Sequence, residues 1–228
     1  MESMEINKEV YEKKYKGGYG IVYPEGHVIR IYEHYIKNLL NNGKKNKMLD
    51  FGCGNGTHSL YFKDKGFEVY GVDISQEAID ICKSRFHTGK EKFFVIDKET
   101  DLNKSLNTKF DVIFANQVLY YLSDIELNRK LNEFYELLND NGIVIFTMMA
   151  SKNYYYNLAQ KCDNETGLYK VELKGRLNET SYINFVKDEE DMKNKFGVFQ
   201  SLYTGCYDFS MKEGSSLHYF FIGRKSIS

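Results

Sequence analysis

The chain has 228 residues, 42% of them hydrophobic and 15% aromatic, which suits one well-filled core with decorations rather than two independent domains. Lys and Arg number 31 against 32 Asp and Glu, for a formal charge of −1. So even a balance argues against nucleic acid or an anionic membrane as partner, because phosphate binding needs clustered cations.

Residues 1–18, MESMEINKEVYEKKYKGG, are charged and lack an apolar centre, so they do not read as a signal peptide. No run approaches the length that crosses a bilayer. Residues 1–43 continue through a Tyr- and Gly-rich segment, YKGGYGIVYPEGHVIRIYEHYIKNLL, which ends in a helix and reads as a lid. Lys44, Lys45 and Lys47 form a solvated connection before the first buried strand. That strand is KMLDF (47–51), and the helix after it, SLYFKDKG (59–66), closes on Gly66. A second strand, EVYGVDI (68–74), leads into SQEAIDICKSRF, with Ser75 as N-cap and Ile79, Cys82 and Phe86 on one face. KFFVID (92–97) and FDVIFAN (110–116) are the third and fourth strands. An amphipathic helix follows, with Leu127, Leu131, Phe134 and Leu138 inward and Gly142 past its end, and GIVIFTMM (142–149) is the fifth strand. Residues 150–187 are a tyrosine-rich, polar insertion, and the remainder reads as two antiparallel strands around KEGSS. Apolar strands alternating with helices predict a doubly wound, mostly parallel α/β sheet in a single domain, with right-handed connections.

Cys53, Cys82, Cys162 and Cys206 lie far apart, with no CxxC and no His at ligand spacing, which reads as reduced thiols in a cytoplasmic protein without a metal site. A single Pro, no Trp and abundant Lys, Asn, Ile and Tyr suggest an AT-rich bacterial genome.

The stretch MLDFGCGNGTH (48–58) carries the chemistry. Gly52, Gly54 and Gly56 are spaced two apart, which fails the dinucleotide fingerprint, and no Walker lysine follows. Asp50 would repel a pyrophosphate. A zwitterionic cofactor removes the conflict: S-adenosylmethionine carries an ammonium and a sulfonium and no phosphate. The glycines then allow close backbone approach. Asp73 ends the second strand, where an acid accepts from both ribose hydroxyls. Asp97 ends the third, either to meet the adenine amino group or to orient the loop whose backbone does. All three acids fall on the carboxyl edge of the sheet, where open α/β sheets bind ligands.

These stretches, MLDFGCGNG, VYGVDIS, FVIDKETDL, FDVIFANQVLYYL and LLNDNGIVIFTMM, resemble in order and spacing the motifs of class I S-adenosylmethionine-dependent methyltransferases. The resemblance covers residues 47–149 and extends through the closing strands. It implies a seven-stranded Rossmann-like sheet in the order 3-2-1-4-5-7-6 with one antiparallel strand. It also implies cofactor contacts from Asp50, Gly52, Gly54 and Asp73, with Ile74, Asp97 and Asn116 nearby. The Asn/Asp-Pro-Pro-aromatic motif of amino-methyltransferases acting on adenine or glutamine amides is missing, since the only proline is Pro24, and so is the Pro-Cys of cytosine C5 enzymes. A small-molecule acceptor is therefore expected, bound by a monomer or homodimer.

The acceptor pocket is expected where the lid (1–43) and the insertion (150–187) meet. Their tyrosines include Tyr15, Tyr19 and Tyr23 from one, and Tyr154, Tyr155, Tyr156 and Tyr169 from the other. Tyr15 is assigned to the cofactor, and Tyr19, Tyr23, Tyr121 and Tyr154 to the acceptor. A hydroxyl acceptor needs a general base. His34 and His87 read as surface or packing residues and His58 as a cap, which leaves His27, slightly preferred, and His218. Arg30 either holds an anionic group of the acceptor or pairs with Glu33. The reading is methyl transfer to a small molecule, narrowed to O-methylation of a sugar or sugar nucleotide for surface polysaccharide. N-methylation of a small amine and a noncatalytic cofactor-binding role are the alternatives.

Overall fold

The computed structural model describes residues 2–40, 44–97, 99–162, 165–174 and 178–226. Parts of the expected lid (residues 1 and 41–43) and insertion (163–164 and 175–177) lie outside the described residues. Helix α1 (Glu2–Lys16) opens the chain. Helix α2 (Gly26–Ile31) then runs through a π-helical turn, Tyr32–Ile36, into α3 (Lys37–Leu39). Next come β1 (Lys47–Phe51), α4 (Thr57–Asp64), β2 (Glu68–Asp73), α5 (Gln76–Arg85), β3 (Phe93–Val95), α6 (Leu102–Leu106), β4 (Phe110–Ala115) and α7 (Asp124–Leu137). After β5 (Leu138–Met149) the insertion forms its own antiparallel sheet of β6 (Ala159–Lys161), β7 (Tyr169–Leu173) and β8 (Glu179–Ile183). Helix α8 (Glu189–Lys195), β9 (Gln200–Tyr207), a hairpin of β10 (Ser210–Met211) and β11 (Gly214–Ser215), and β12 (His218–Arg224) close the described chain.

The main sheet has seven strands in the order β3-β2-β1-β4-β5-β12-β9. Only β12 runs antiparallel to its neighbours, β5 and β9. In strand count along the sheet this is the expected 3-2-1-4-5-7-6. Each face carries its own core. Leu127, Leu131 and Phe134 of α7 and Met192 of α8 pack on one side, and Val28 of α2, Phe62 of α4 and Ile79 of α5 on the other. That two-sided burial is why the central strands read as unbroken apolar runs.

Local chemistry sets the boundaries. Ser75 accepts from the Ala78 amide at 3.1 Å as the N-cap of α5. Ser123 and Glu126 form a capping box on α7. Two of the lysines at the start of β1 are tied down, Lys44 on Asp111 at 2.7 Å and Lys47 Nζ on Thr108 Oγ1 at 3.0 Å. Several boundaries differ from the sequence reading. Helix α4 spans Thr57–Asp64 rather than 59–66, and β3 only Phe93–Val95 rather than 92–97. Helix α7 stops at Leu137, and Leu138 is the first residue of β5, not the last inward residue of the helix. The register slips between Phe110 and Val112, and Asn141 takes φ 62°, so the strand starts before a bulge that absorbs Gly142.

Candidate active site

A cavity of about 590 Å³ opens at the carboxyl edge of the sheet, over the ends of β1, β2, β3 and β4. Its floor is the glycine turn after β1. Gly52 and Gly54 hold φ of +76° and +53°, and a Cβ would come within 2.5 Å of Val118 at the first and 2.4 Å of the Tyr15 hydroxyl at the second. The turn is therefore a cradle with no room for side chains. Asp73 fixes it, accepting from the Gly54 amide and the Ser75 amide at 2.9 Å each. Burial pushes the Asp73 carboxyl upward, against the pull of those amides.

Charge defines the ligand. The acids lining the cavity are Glu25, Asp73 and Asp97. The lining cations, among the described residues, are Lys14 and Lys130, and both are already paired: Lys14 with Glu179 at 2.8 Å, and Lys130, 3% exposed, with Glu133 at 2.6 Å. A diphosphate would find no unpaired cation here, whereas a zwitterionic nucleoside finds acids and a glycine cradle. The residues present thus fit S-adenosylmethionine.

Of the sequence-assigned residues, Tyr15, Gly52, Gly54, Asp73, Ile74, Asp97 and Asn116, expected at the cofactor, and Tyr19, Tyr121, Tyr154 and His218, expected at the acceptor, line the cavity. Asp97 stands at the expected edge, beyond the end of β3, with its Oδ1 accepting from the Glu99 amide and Thr100 hydroxyl. Four others stand outside the lining. Asp50 is buried beneath the turn, where Ser59 of α4 donates to it at 2.5 Å, and burial raises its carboxyl to about 7. It anchors α4 to β1 instead of facing the cleft. Tyr23 is 82% exposed because its loop directs it to solvent. Arg30 lies on the exposed side of α2, opposite the buried His27, Val28 and Ile31, and Glu33 pairs with Lys37 and Lys65, not with it. His27 is buried behind the cleft, stacked on Tyr207 of β9 at 3.7 Å and 6°.

The polar wall between β4 and α2 is an ordered network. The Asn116 amide donates to Glu25 at 3.0 Å, which fixes its orientation, so its Oδ1 must accept from His27 Nε2 at 2.9 Å. Gln117 donates to Glu25 at 3.1 Å and to the Tyr207 hydroxyl at 3.3 Å. His58 lines the cavity too, its Nε2 accepting from the Glu25 amide at 3.4 Å. Burial, with His27 adding a smaller push, lowers it to about 4.

His218 opens β12 and stacks on the other side of Tyr207 at 5.3 Å and 4°. Its Nδ1 lies 2.8 Å from the Ser216 carbonyl, which can only accept, so Nδ1 carries the proton and Nε2 presents a lone pair. That Nε2 is buried without a partner. Burial lowers the His218 pKa to about 4, which keeps the ring neutral.

The remaining walls come from α1 and the insertion. Asn7, Tyr11, Lys14 and Tyr15 share one face of α1 and line the cavity together. Asn7 brackets the Tyr182 backbone of β8, accepting from its amide at 3.1 Å and donating to its carbonyl at 3.3 Å. The hydroxyls of Tyr11 and Tyr121 meet at 2.6 Å. Sequence reasoning missed Glu25, Lys14, Tyr11 and the lining role of His58. The spacing Asn7, Tyr11, Lys14, Tyr15 is a helical face that would have found two of them.

This is the fold of class I S-adenosylmethionine-dependent methyltransferases, and the cleft fits their cofactor. Residues 25–183 match the methyltransferase domain family, and the chain belongs to it. A putative methyltransferase of Geobacillus sp. (strain WCH70) is 27% identical over 117 residues, 51% of this chain and 47% of that protein. The chain spans about half the length of the curated relatives it matches. In fold it is similar to an S-adenosylmethionine-dependent methyltransferase of Methanosarcina mazei, with TM-score 0.68 and 20% identity over 86% of this chain and 98% of that one. It is likewise similar to magnesium protoporphyrin IX methyltransferase of Synechocystis PCC 6803 with bound S-adenosylhomocysteine, with TM-score 0.65 and 17% identity over 99% and 100%. Among the described residues, no helix is long and apolar enough to cross a membrane.

Proposed function

We propose that the chain methylates a hydroxyl oxygen of a small molecule, with His218 as general base. One observation carries this reading: a buried imidazole lines the cavity with its lone pair unpartnered and its tautomer fixed by the Ser216 carbonyl. Asp73, the Gly52–Gly54 turn, Ile74, Tyr15, Asp97 and Asn116 would hold the cofactor, which when bound supplies an electrophilic methyl on a positively charged sulfur. An alcohol becomes strongly acidic as its oxygen gains that carbon, so a base of low pKa suffices to take the proton. His218 Nε2 would accept it, and burial beside Tyr207 keeps the ring neutral and ready across the working pH range.

The acceptor half supports an uncharged, ring-bearing substrate. Tyr11, Tyr19, Tyr120, Tyr121, Tyr154 and Tyr155 offer faces to stack on and hydroxyls to hydrogen-bond. A sugar ring suits such walls, and that is the finer form of the proposal. An amine acceptor is disfavoured because the Lys14 ammonium already lies 4.7 Å over Tyr11 and 5.3 Å over Tyr19. The test is a panel of sugars, sugar nucleotides, phenols, hydroxy acids and amines incubated with methyl-labelled cofactor. Label is expected on a hydroxyl oxygen. His218→Ala should lose about 10²–10⁴ in turnover while retaining S-adenosylhomocysteine affinity. Label on amines alone refutes the oxygen reading, and full turnover by His218→Ala refutes the base.

A further inference from the structure

Resting on the reading that the cleft holds S-adenosylmethionine, we infer that Glu25 meets the cofactor's α-ammonium. Asp50 lies outside the lining, with the Ser59 hydroxyl donating to its Oδ2. An acid is still needed, because an ammonium leaving water for a cleft wall requires a charged or strongly accepting partner.

Among the described residues three carboxylates line the cavity, and two sit toward the β3 side of the sheet edge, Asp73 at the end of β2 and Asp97 beyond β3. The amino-acid end of the cofactor therefore belongs over β1 and β4, on the other side of Asp73. Glu25 is the carboxylate there. Its two oxygens are held by neutral amides, Asn116 at 3.0 Å and Gln117 at 3.1 Å. Its nearest basic groups are His58 at 3.6 Å and His27 at 3.9 Å. Burial lowers both imidazoles, so neither cancels the negative charge. The result is a carboxylate, 26% exposed, aimed by two hydrogen bonds and, among the described residues, balanced by no Lys or Arg beside it. A primary ammonium has the size, sign and donors to complete it. The Tyr15 hydroxyl remains as a donor for the cofactor's carboxylate.

Calorimetry on the full chain tests this with S-adenosylhomocysteine and 5′-methylthioadenosine, which shares the nucleoside and thioether but lacks the amino-acid end. Glu25→Gln should weaken S-adenosylhomocysteine by about tenfold or more and methylthioadenosine by less than about twofold. Equal losses for both ligands, or a change under about twofold for the first, overturn the inference. Should Glu25→Gln fail to fold, the wild type is titrated with the desamino analogue of S-adenosylhomocysteine. A loss of about tenfold or more then supports the ammonium contact, and one under about twofold overturns it. A wild type that binds neither nucleoside removes the cofactor reading itself, which is a different failure.

Discussion

The neutrality of His218 has a thermodynamic signature independent of any substrate. Its pKa falls from 6.5 in the unfolded chain to about 4 in the fold because burial penalises the charged ring. Between those values the unfolded chain binds the proton more readily, so stability rises with pH across this window and is lost on acidification through it. The integrated penalty is about 3 kcal/mol below pH 4, and at pH 5 it is already about 2 kcal/mol. Urea unfolding of wild type and His218→Gln at pH 7.5, 6, 5 and 4.5 reads it directly. The variant loses some stability everywhere, since the Ser216 hydrogen bond and the Tyr207 stack go with the ring. Its decline from pH 7.5 to 5, however, should be shallower than that of wild type by about 2 kcal/mol. Parallel declines would mean that His218 titrates normally, and the picture of a dry, neutral base would be wrong.

Asp73→Ala removes the acceptor for the Gly54 and Ser75 amides as well as the site for ribose, so S-adenosylhomocysteine binding by calorimetry should weaken at least about tenfold in a folded protein. Unchanged affinity would displace the nucleoside from the cleft. Tyr11→Phe deletes the hydroxyl contact with Tyr121 and should cost the docking of α1 about 1 kcal/mol, read as faster amide exchange in residues 2–16 with β1 and β4 unaffected.

The sheet was legible because its strands are buried on both faces and its acids fall at their ends. The glycine turn was legible because only glycine serves there. Less could be read where partners come from far away. Nothing near His27 in the chain announces Tyr207, whose ring occupies the space behind the cleft and turns the histidine from candidate base into a brace for Asn116. Asp50 misled because an acid before a glycine turn looks aimed at the ligand until Ser59, on the next helix, claims it. Helix α1 was missed because its inward face is Asn, Tyr and Lys, which reads as solvated until a polar cavity stands opposite. In α7 the apolar spacing continues through Leu138 although the backbone has already turned, so periodicity alone overran the helix.

The bracket between Asn7 and Tyr182 joins positions 175 residues apart. As the chain leaves a ribosome, α1 is complete long before β8 exists, and a lone helix of 15 residues with a polar face holds little structure in water. Strands β1 to β5 can assemble from neighbouring βα units in the interval. The wall that α1 lends the cleft therefore docks only after β8 arrives, so a nascent chain would hold the floor of the cleft before that wall.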